Sequence, residues 1–514
     1  MRKLIIYNIV VLSLCITTSC DNGFDELNTS KVNATELNPI LQLNFAVINS
    51  SFYTGDGGGT PIIYDMAIVQ QLVTPNSGVV SGGNYNQDNR DASSRLWQNY
   101  YRNVIRNTRD VIRLTQGSPE RSNLYNMSRI FQAYGFMVLT DTYGDIPYFQ
   151  AGQAYPNRAN LFPEYDPQEN IYTDIIKELT EASAAITTTG NPEPIDLLFG
   201  GDMAKWKRFG YSLLLRAGMR LSKVAPDRAA LAVQAAFQGG VMTSNADNAL
   251  IKHDANYPNT LGNTLNGSES SSFYLAAPFV NQLKSTNDPR LESIAIRYKG
   301  ASSGAEQTVD RSTKAAADQV GMPMGYDGST IKNAVTALGL KSFYDFSQVD
   351  RRRMAKRDAP MFLVTYAQTQ LLLAEARYRG WITTGTAEDY YQKGVRAHME
   401  QLATYDVGAA VPEASIQPYL DNNPLVEATA LEQINTQYWI ASFMNAPETF
   451  ANFRRSGFPQ LAPNPYPGKT ITGSFIRRIT YPNSEISVNN ENVKRATDKM
   501  GPDNLDTHVW WDSL

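Results

Sequence analysis

Residues 94–114 read SRLWQNYYRNVIRNTRDVIRL, and the spacing of their apolar side chains indicates the fold class. Apolar and small residues recur at intervals of three and four positions: Trp97, Tyr101, Val104, Ile105, Thr108, Val111 and Ile112. This interval places them on one face of an α-helix, and such a face needs a partner to cover it. A second apolar stripe runs over 121–143 and ends before Gly144 and Pro147. The two segments predict a pair of packed helices.

Helical spacing returns through much of the chain. We predict further helices over 202–224, 229–237, 273–283, 360–380, 387–403, 426–444 and 447–455. Another helix is predicted after Asp166, which we expect to act as its N-cap with Pro167 in the first turn. Because the connections are short, neighbouring helices are expected to pair antiparallel and to form a stack of helical hairpins.

Residues 254–345 differ from the helical parts in composition. They are rich in Gly, Ser, Asn and Thr, as in ANYPNTLGNTLNGSESSS at 255–272 and GMPMGYDGST at 321–330. Long polar segments inside a folded chain are usually functional loops or disordered links. The tyrosines and prolines among them favour ordered loops, so we predict a loop-rich insertion over 254–345.

The N-terminus has the layout of an export signal. Two basic residues precede an apolar run over 4–16, and small residues lead to Cys20. The run is shorter than the ~20 apolar residues that a membrane span requires. Residues 1–19 resemble a bacterial lipoprotein signal, which implies lipid attachment at Cys20 and anchoring through its acyl chains. The alternative is an ordinary secretory signal in which Cys20 is incidental.

Composition limits the chemistry. The chain has 46 basic and 50 acidic residues and a formal net charge of −4, which argues against a nucleic-acid partner. Its two cysteines are Cys15 and Cys20, so the chain beyond them can form no disulfide framework or thiolate metal site. No HExxH or P-loop motif occurs. We therefore predict a protein without catalytic residues, cofactor or metal, although a glycosidase needs only two carboxylates, which sequence cannot exclude.

Two short motifs have both a binding and a structural interpretation. DTYGDIP at 141–147 could present Asp141 and Asp145 to a ligand, and NDPRL at 287–291 could do the same with Asp288 and Arg290. We favour the structural interpretation in both cases. Asp141 would end a helix before a turn, and Asp288 with Arg290 would form a local ion pair in a turn.

Several segments, in order along nearly the whole chain, resemble one family. They are FDELNTS at 24–30, TDTYGDIPYFQA at 140–151, YDPQENIYTDIIKELTEA at 165–182, GGDMAKWKRFGYSLLLRAGMRLS at 200–222, NDPRL at 287–291, VTYAQTQLLLAEARYRG at 364–380, ETFANFRRSGFPQL at 448–461, RRITYPNSEISVNNENV at 477–493 and WWD at 510–512. Together they resemble the SusD/RagB outer-membrane lipoproteins of Bacteroidetes.

The resemblance implies a fold and a role. The fold is all-α dominated, a tetratricopeptide-like superhelix of helical hairpins with long irregular loop insertions, expected here as one domain over 20–514. The role is a non-enzymatic lipoprotein, exposed on the outer membrane, that binds oligosaccharides or another nutrient for uptake. It would deliver them to a SusC-like TonB-dependent transporter. A surface glycoside hydrolase and a peptide-binding or structural scaffold lipoprotein remain the alternatives.

The resemblance also implies ligand-binding loops in two regions, one before the first helix pair and one in the insertion. Sugar sites need aromatic faces for stacking and polar groups for hydroxyls. The early counterpart is SGGNYNQDNRD at 81–91, and the later ones lie within 254–345. The predicted ligand-binding residues are Asn84, Tyr85, Asn86, Asp88, Arg90, Tyr257, Tyr326, Asp327 and Tyr344.

Overall fold

A computed structural model describes residues 38–51, 59–76, 81–154, 157–267 and 269–512 of the chain. The predicted signal at 1–19 and its cysteine, Cys20, lie outside these residues. Within them, no helix is both long enough and apolar enough to cross a membrane.

The described residues are mainly helical. The α-helices are α1 (Pro39–Asn49), α2 (Met66–Ile68), α3 (Arg90–Asn99), α4 (Arg106–Thr115), α5 (Ser122–Tyr143), α6 (Gln168–Ala185), α7 (Met203–Arg220), α8 (Pro226–Gly239), α9 (Thr260–Asn266), α10 (Ala277–Ser285), α11 (Arg290–Ile294), α12 (Ile331–Ala337), α13 (Tyr366–Tyr378), α14 (Ala387–Gln401), α15 (Glu413–Asn422), α16 (Ala430–Ala441), α17 (Ala446–Ser456), α18 (Asn483–Val488) and α19 (Asn490–Met500). π-Helical turns at Pro61–Asp65 and Tyr100–Ile105 lead into α2 and α4.

The strands are short and pair in small antiparallel ribbons. They are β1 (Leu72–Val73), β2 (Ala249–Ile251), β3 (Tyr274–Leu275), β4 (Ala295–Tyr298), β5 (Ser312–Thr313), β6 (Gln348–Val349) and β7 (Met361–Val364). β1 pairs with β3, β2 pairs with β7, and β4 lies between β5 and β6. The β1–β3 pair joins the segment between α8 and α13 to an earlier part of the chain, and the other strand pairs lie within that segment.

Consecutive helices pack on one another. Each helix from α4 to α7 contacts the next one along the chain, and α13 packs against both α14 and α16. A large apolar core runs through this stack and includes Trp206, Leu214 and Trp439, each almost completely buried. The predicted hairpin superhelix is therefore confirmed, because helices joined by short connections bury their apolar faces against their neighbours.

Most predicted helices are present, but three predictions at helix starts are wrong. Residues 361–364 form β7, which pairs with β2, so the helix predicted from 360 begins only at Tyr366. A continuous apolar run does not distinguish a buried strand from a helix. The helix predicted from 273 begins at Ala277, because Tyr274 and Leu275 pair with β1. Asp166 is not an N-cap, since its Oδ2 accepts from the backbone N–H of Tyr148 and of Phe149.

Both motifs with two interpretations are structural. The Asp141 carboxylate is buried and accepts from Tyr172 Oη at 2.5 Å, Trp511 Nε1 at 2.9 Å and Arg220 Nε at 3.1 Å. Arg290 forms a fully buried ion pair with Asp288, at 2.5 Å. Asp141 thus joins α5, α6 and α7 to Trp511, which is buried against the body.

The segment between α8 and α13 builds a small core of its own. This second core contains Val73, Tyr274, Ala276, Met322, Met324, Ile331, Ala334 and Phe346. Tyr326 and Phe343 are partly buried against it. The residues of the predicted loop-rich insertion are thus ordered around an apolar centre, which fixes the loops that carry Tyr326 and Tyr344.

Candidate functional site

The early loop, residues 81–91, is tightly held. Asn84 is 1% exposed and its Oδ1 accepts from the backbone N–H of Thr74 at 2.8 Å. Tyr85 is 2% exposed and its hydroxyl donates to the carbonyl of Asn76 at 2.7 Å. Asn86 is buried in the left-handed backbone region, with φ of 48°. These three predicted residues fix the loop and do not project freely into solvent.

Residues 462–512, which we call the C-terminal segment, hold the early loop along its length. The Asn464 side-chain amide donates to the carbonyl of Asn84 at 2.7 Å, and the Thr470 N–H donates to the carbonyl of Asn86 at 2.9 Å. The Gln87 amide donates in the opposite direction, to the carbonyl of Gly468 at 2.8 Å. The position of the loop therefore depends on residues far away in sequence.

Asp88 and Arg90 also join the early loop to the C-terminal segment. Arg90 Nη1 lies 2.6 Å from Asp503 Oδ2 and also donates to the carbonyl of Tyr481 at 3.0 Å. Asp88 pairs with Arg90 at 3.1 Å and accepts from Thr480 Oγ1 at 2.7 Å. Both side chains are already paired within the protein, so they hold the loop in place.

The early loop and the insertion meet at one point, through a tyrosine of the C-terminal segment. The rings of Tyr85 and Tyr466 have centroids 4.6 Å apart, at 46°. Tyr466 Oη lies 3.5 Å from Asp327 Oδ2. The insertion packs closely against the C-terminal segment here, since a Cβ on Gly325 would lie 2.5 Å from Pro465 Cγ. We call Tyr85, Tyr326, Asp327 and Tyr466 the loop junction.

Asp327 presents a fixed carboxylate at this junction. Its Oδ1 accepts from the hydroxyls of Ser329, at 2.7 Å, and of Thr330, at 2.8 Å, and from both their backbone N–H groups. The hydrogen bonds from Ser329 and then Thr330 lower the pKa of Asp327 to about 2. Its Oδ2 faces Tyr466 with no closer hydrogen bond among the described residues. The group is thus an ionised acceptor at any physiological pH.

A second aromatic surface lies on the insertion. Tyr344 stacks on Phe343, with ring centroids 4.1 Å apart at 29°. Phe343 in turn contacts Tyr274 of the second core, at 6.0 Å. Tyr344 is only partly buried. The insertion therefore holds Tyr326 and Tyr344 on one small rigid unit.

Tyr257 is placed differently. It is 53% exposed, and its carbonyl accepts from His253 Nδ1 at 2.8 Å. Among the described residues, no ring contact or hydrogen bond joins it to the loop junction. The structure therefore brings Tyr85 and Asp327 together through Tyr466, with Tyr326 next to Asp327 in the chain, and leaves Tyr257 apart.

The loop junction offers the chemistry of a saccharide site. A partly exposed tyrosine face can stack on the C–H surface of a sugar ring, and a carboxylate can accept from its hydroxyls. Tyr466 was not identified from the sequence, because NPYPGKT at 464–470 carries only turn signals. Its role depends on contacts with residues that precede it by more than a hundred positions. Among the described residues, no group of three or more metal-ligating side chains is arranged to hold an ion.

Comparisons with known proteins agree with this architecture. A family model described as SusD-like, starch-binding associating with outer membrane, matches residues 46–482. A solved structure described as a chitin-binding protein is 32% identical, with 93% of this chain and 100% of that chain covered and a TM-score of 0.81. A SusD-like protein of Bacteroidetes is 28% identical, covers 93% of this chain and 100% of its own, and has a TM-score of 0.79.

A chitin-binding SusD homologue from Flavobacterium johnsoniae is 26% identical, covers 93% of this chain and 99% of its own, and has a TM-score of 0.73. No curated protein sequence matches this chain. The family model spans most of the chain, and the similar structures cover nearly all of the same helices and loops. The chain therefore belongs to the SusD-like family, described as starch-binding and associating with the outer membrane.

Proposed function

We propose that this protein is a lipid-anchored, non-enzymatic receptor that binds oligosaccharides at the cell surface and passes them to a TonB-dependent transporter. The observation that carries the proposal is the loop junction. There the early loop, the insertion and the C-terminal segment place two tyrosine rings and one ionised carboxylate together. Family membership and similarity to two proteins described as chitin-binding support a saccharide as the ligand.

The geometry assigns different roles to the predicted residues. Tyr466, Tyr326 and Asp327 are proposed to contact the sugar, because all three are only partly buried. Tyr85 is proposed to support Tyr466 from beneath, since its own ring is almost fully covered. Tyr344 is proposed to extend the surface along the insertion, where it stacks on Phe343. A rigid set of aromatic faces binds sugars at low cost in conformational entropy.

Binding is tested by isothermal titration calorimetry with chitin oligosaccharides, and with starch oligosaccharides as the comparison. We expect saturable binding of the chitin oligosaccharides. Tyr466→Ala should weaken it by about 1 kcal/mol or more, because the variant removes stacking surface. Tyr378→Ala is the matched control, since Tyr378 is an exposed tyrosine on α13 and distant in sequence from the junction. Equal affinity in wild type and Tyr466→Ala would overturn the assignment of the site.

The enzyme alternative makes a different prediction. Incubation of the purified protein with the same oligosaccharides should yield no new reducing ends over a period in which binding is complete. Steady turnover would favour a surface glycoside hydrolase, and an absence of any saturable binding would favour a scaffold lipoprotein. Peptides from a proteolytic digest serve as the competing ligand class in the same titration.

Anchoring and delivery are tested separately. We expect Cys20→Ala to release the protein from the membrane fraction or to leave it as an uncleaved precursor, because the acyl chains would be missing. Cys15→Ala is the matched control and should leave the membrane fraction unchanged. A pull-down in mild detergent should recover a TonB-dependent barrel with the wild type. Recovery of no barrel would contradict the proposed partner.

A further inference from the structure

Four arginines lie along the π-helical turn at Tyr100–Ile105 and helix α4, which follows it. Arg102, Arg106, Arg109 and Arg113 succeed one another at intervals of four, three and four positions. Such intervals bring side chains to neighbouring positions on a helix. The single acidic residue among them is Asp110, which pairs with Arg113 at 2.6 Å. In a chain with a formal net charge of −4, this row is a local concentration of positive charge.

Three of these arginines line one cleft. Arg106, Arg109 and Arg113 border a cleft of about 810 Å³ between α4, the start of α1 and the turn at 152–153. The turn approaches the helix closely, because a Cβ on Gly152 would lie 3.2 Å from Arg109 Cγ. Gly152 also has φ of 73°, a conformation that L side chains rarely adopt. The volume is that of a small-molecule site.

The positive charge in the cleft is only partly neutralised within the protein, because Asp110 pairs with Arg113 but not with Arg106 or Arg109. Arg109 Nη2 donates to the carbonyl of Tyr148 at 2.9 Å, but its buried Nε has no partner among the described residues. Arg106 is exposed, and in the described part of the chain its guanidinium has no hydrogen bond or ion pair. A buried donor without an acceptor is uncommon in folded proteins. The cleft thus has guanidinium groups available for an anion.

The rest of the lining suits hydroxyl groups and a sugar ring. The cleft is also lined by the amides of Gln42, Gln116 and Gln153, by Asn107 and Ile112, and by Asp110, which accepts from Gln42 Nε2 at 2.9 Å. Phe149 lies next to it, because Gln153 Nε2 donates to the Phe149 carbonyl at 2.6 Å. The Phe149 ring is 46% exposed and contacts the Tyr148 ring at 4.9 Å. A site for a simple inorganic anion does not need an exposed aromatic ring. The ring beside amides and arginines therefore favours a ligand that has a ring of its own.

We propose that this cleft is a second saccharide site, selective for acidic oligosaccharides. A sugar carboxylate would pair with the guanidinium groups of Arg106 and Arg109, the amides would bond with ring hydroxyls, and Phe149 would stack on the ring. Guanidinium groups suit this role because their paired donors match the two oxygens of a carboxylate. The site is distinct from the loop junction, because the Asp327 carboxylate there has no ion-pair partner among the described residues and would repel such a ligand, whereas Asp110 in the cleft is paired with Arg113.

The test uses the purified mature protein in detergent and galacturonate oligomers, with galactose oligomers of equal length as the neutral comparison. We expect the galacturonate oligomers to bind about tenfold or more tightly than the galactose oligomers. The difference should shrink as sodium chloride is raised, because salt screens the charge. Arg106→Gln should remove most of the difference, and Arg106→Lys should restore only part of it, since lysine keeps the charge but loses the paired donors.

Matched variants locate the effect. Arg228→Gln removes the same charge from a partly exposed arginine on α8 and should leave affinity unchanged. Phe149→Ala should weaken galacturonate binding but not the binding of inorganic sulfate. Tyr466→Ala should leave galacturonate binding intact, which separates this site from the loop junction. Arg113→Gln is the second charge variant if Arg106→Gln changes the melting temperature.

Three results would overturn the proposal. The first is equal affinity for the acidic and the neutral oligomers. The second is galacturonate binding that neither Arg106→Gln nor Arg113→Gln weakens. The third is competition by inorganic sulfate at the same concentration as the oligomer, which would show an anion site without selectivity for a saccharide.

Discussion

Asp141 and Asp327 occur in segments that look alike in sequence, DTYGDIP and GYDGST, but the molecule uses them in opposite ways. Asp141 lies inside the helical body, where it accepts hydrogen bonds from Tyr172, Trp511 and Arg220. Asp327 lies on the insertion, where its neighbours in the chain hold one oxygen and leave the other near Tyr466. Burial decides which carboxylate supports the fold and which can meet a ligand.

The difference extends to the two regions as a whole. The body contains fully buried ion pairs, such as Glu375 with Arg455 at 2.7 Å and Arg220 with Glu448 at 2.5 Å. On the insertion, the Lys299–Asp318 ion pair is largely exposed. Removing one partner of a buried pair leaves an uncompensated charge in the core, whereas exposed pairs contribute little. The insertion also contains a fully buried pair, Asp288 with Arg290. Buried charge in either region therefore constrains packing, and exposed charge, such as that of Asp327, is available for recognition.

The largest expected effect comes from the matched variants Asp141→Ala and Asp327→Ala. Asp141→Ala should lower the free energy of unfolding by about 3–5 kcal/mol, because it leaves three buried donors, one of them charged, without their acceptor. Asp327→Ala should lower it by less than about 1 kcal/mol. Urea denaturation followed by circular dichroism measures both. Equal losses would contradict the division between the two regions.

A buried acid of the body should show its effect through pH. The Asp65 carboxyl has no hydrogen-bond partner among the described residues, and burial raises its pKa to about 7 against the attraction of Arg454. The folded state therefore holds this proton more tightly than the unfolded state, so this group lowers stability as pH rises from about 4 to about 7. The pKa difference corresponds to a loss of up to about 4 kcal/mol above pH 7.

Asp65→Asn removes that titration. The difference in unfolding free energy, variant minus wild type, should increase as pH rises from 4 to 8, because only the wild type loses stability through Asp65. The buried amide can shift this difference by a constant amount, but it does not change the trend. Asp421→Asn, an exposed acid on α15, should show no such trend. Parallel pH profiles for wild type and Asp65→Asn would show that Asp65 does not titrate in this range.

The helical body was largely predictable from sequence, and the site was not. The apolar stripe that includes Trp97, Val104 and Val111 predicts a helix directly, because residues three and four positions apart lie on the same face of a helix. β7 was missed because its run of buried apolar residues resembles a helix, and only its pairing with β2 distinguishes the two. Tyr85 and Asp327 were predicted from the composition of their loops, and their proximity through Tyr466 was not predicted. Tyr466 could not be found, since contacts across the chain leave no local pattern.

The smallest expected effect concerns the carboxylate of the loop junction. Asp327→Asn keeps the shape and the local turn, so ligand affinity should fall only about twofold to fivefold, the value of one exchanged charged hydrogen bond. Because the pKa of Asp327 is about 2, wild-type affinity should not change through this group between pH 4 and 8. Calorimetry at three pH values measures both. A steep fall in affinity below pH 6 would show that another group provides the acceptor.

The contacts between the C-terminal segment and the early loop also determine the order in which parts of the protein can fold. Arg90 of the early loop and Asp503 of the C-terminal segment form one of these contacts, and they are separated by 413 positions. A chain made and exported from its N-terminus has its early loop long before it has the residues that fix it, and contacts so distant in sequence form late. The hairpins can pack as they appear, but the loop junction forms only after Tyr466 and Asp503 have arrived. A chain that stops before the C-terminal segment would lack the residues that fix the early loop, and it would also leave open the part of the main core that Tyr481 and Trp511 fill.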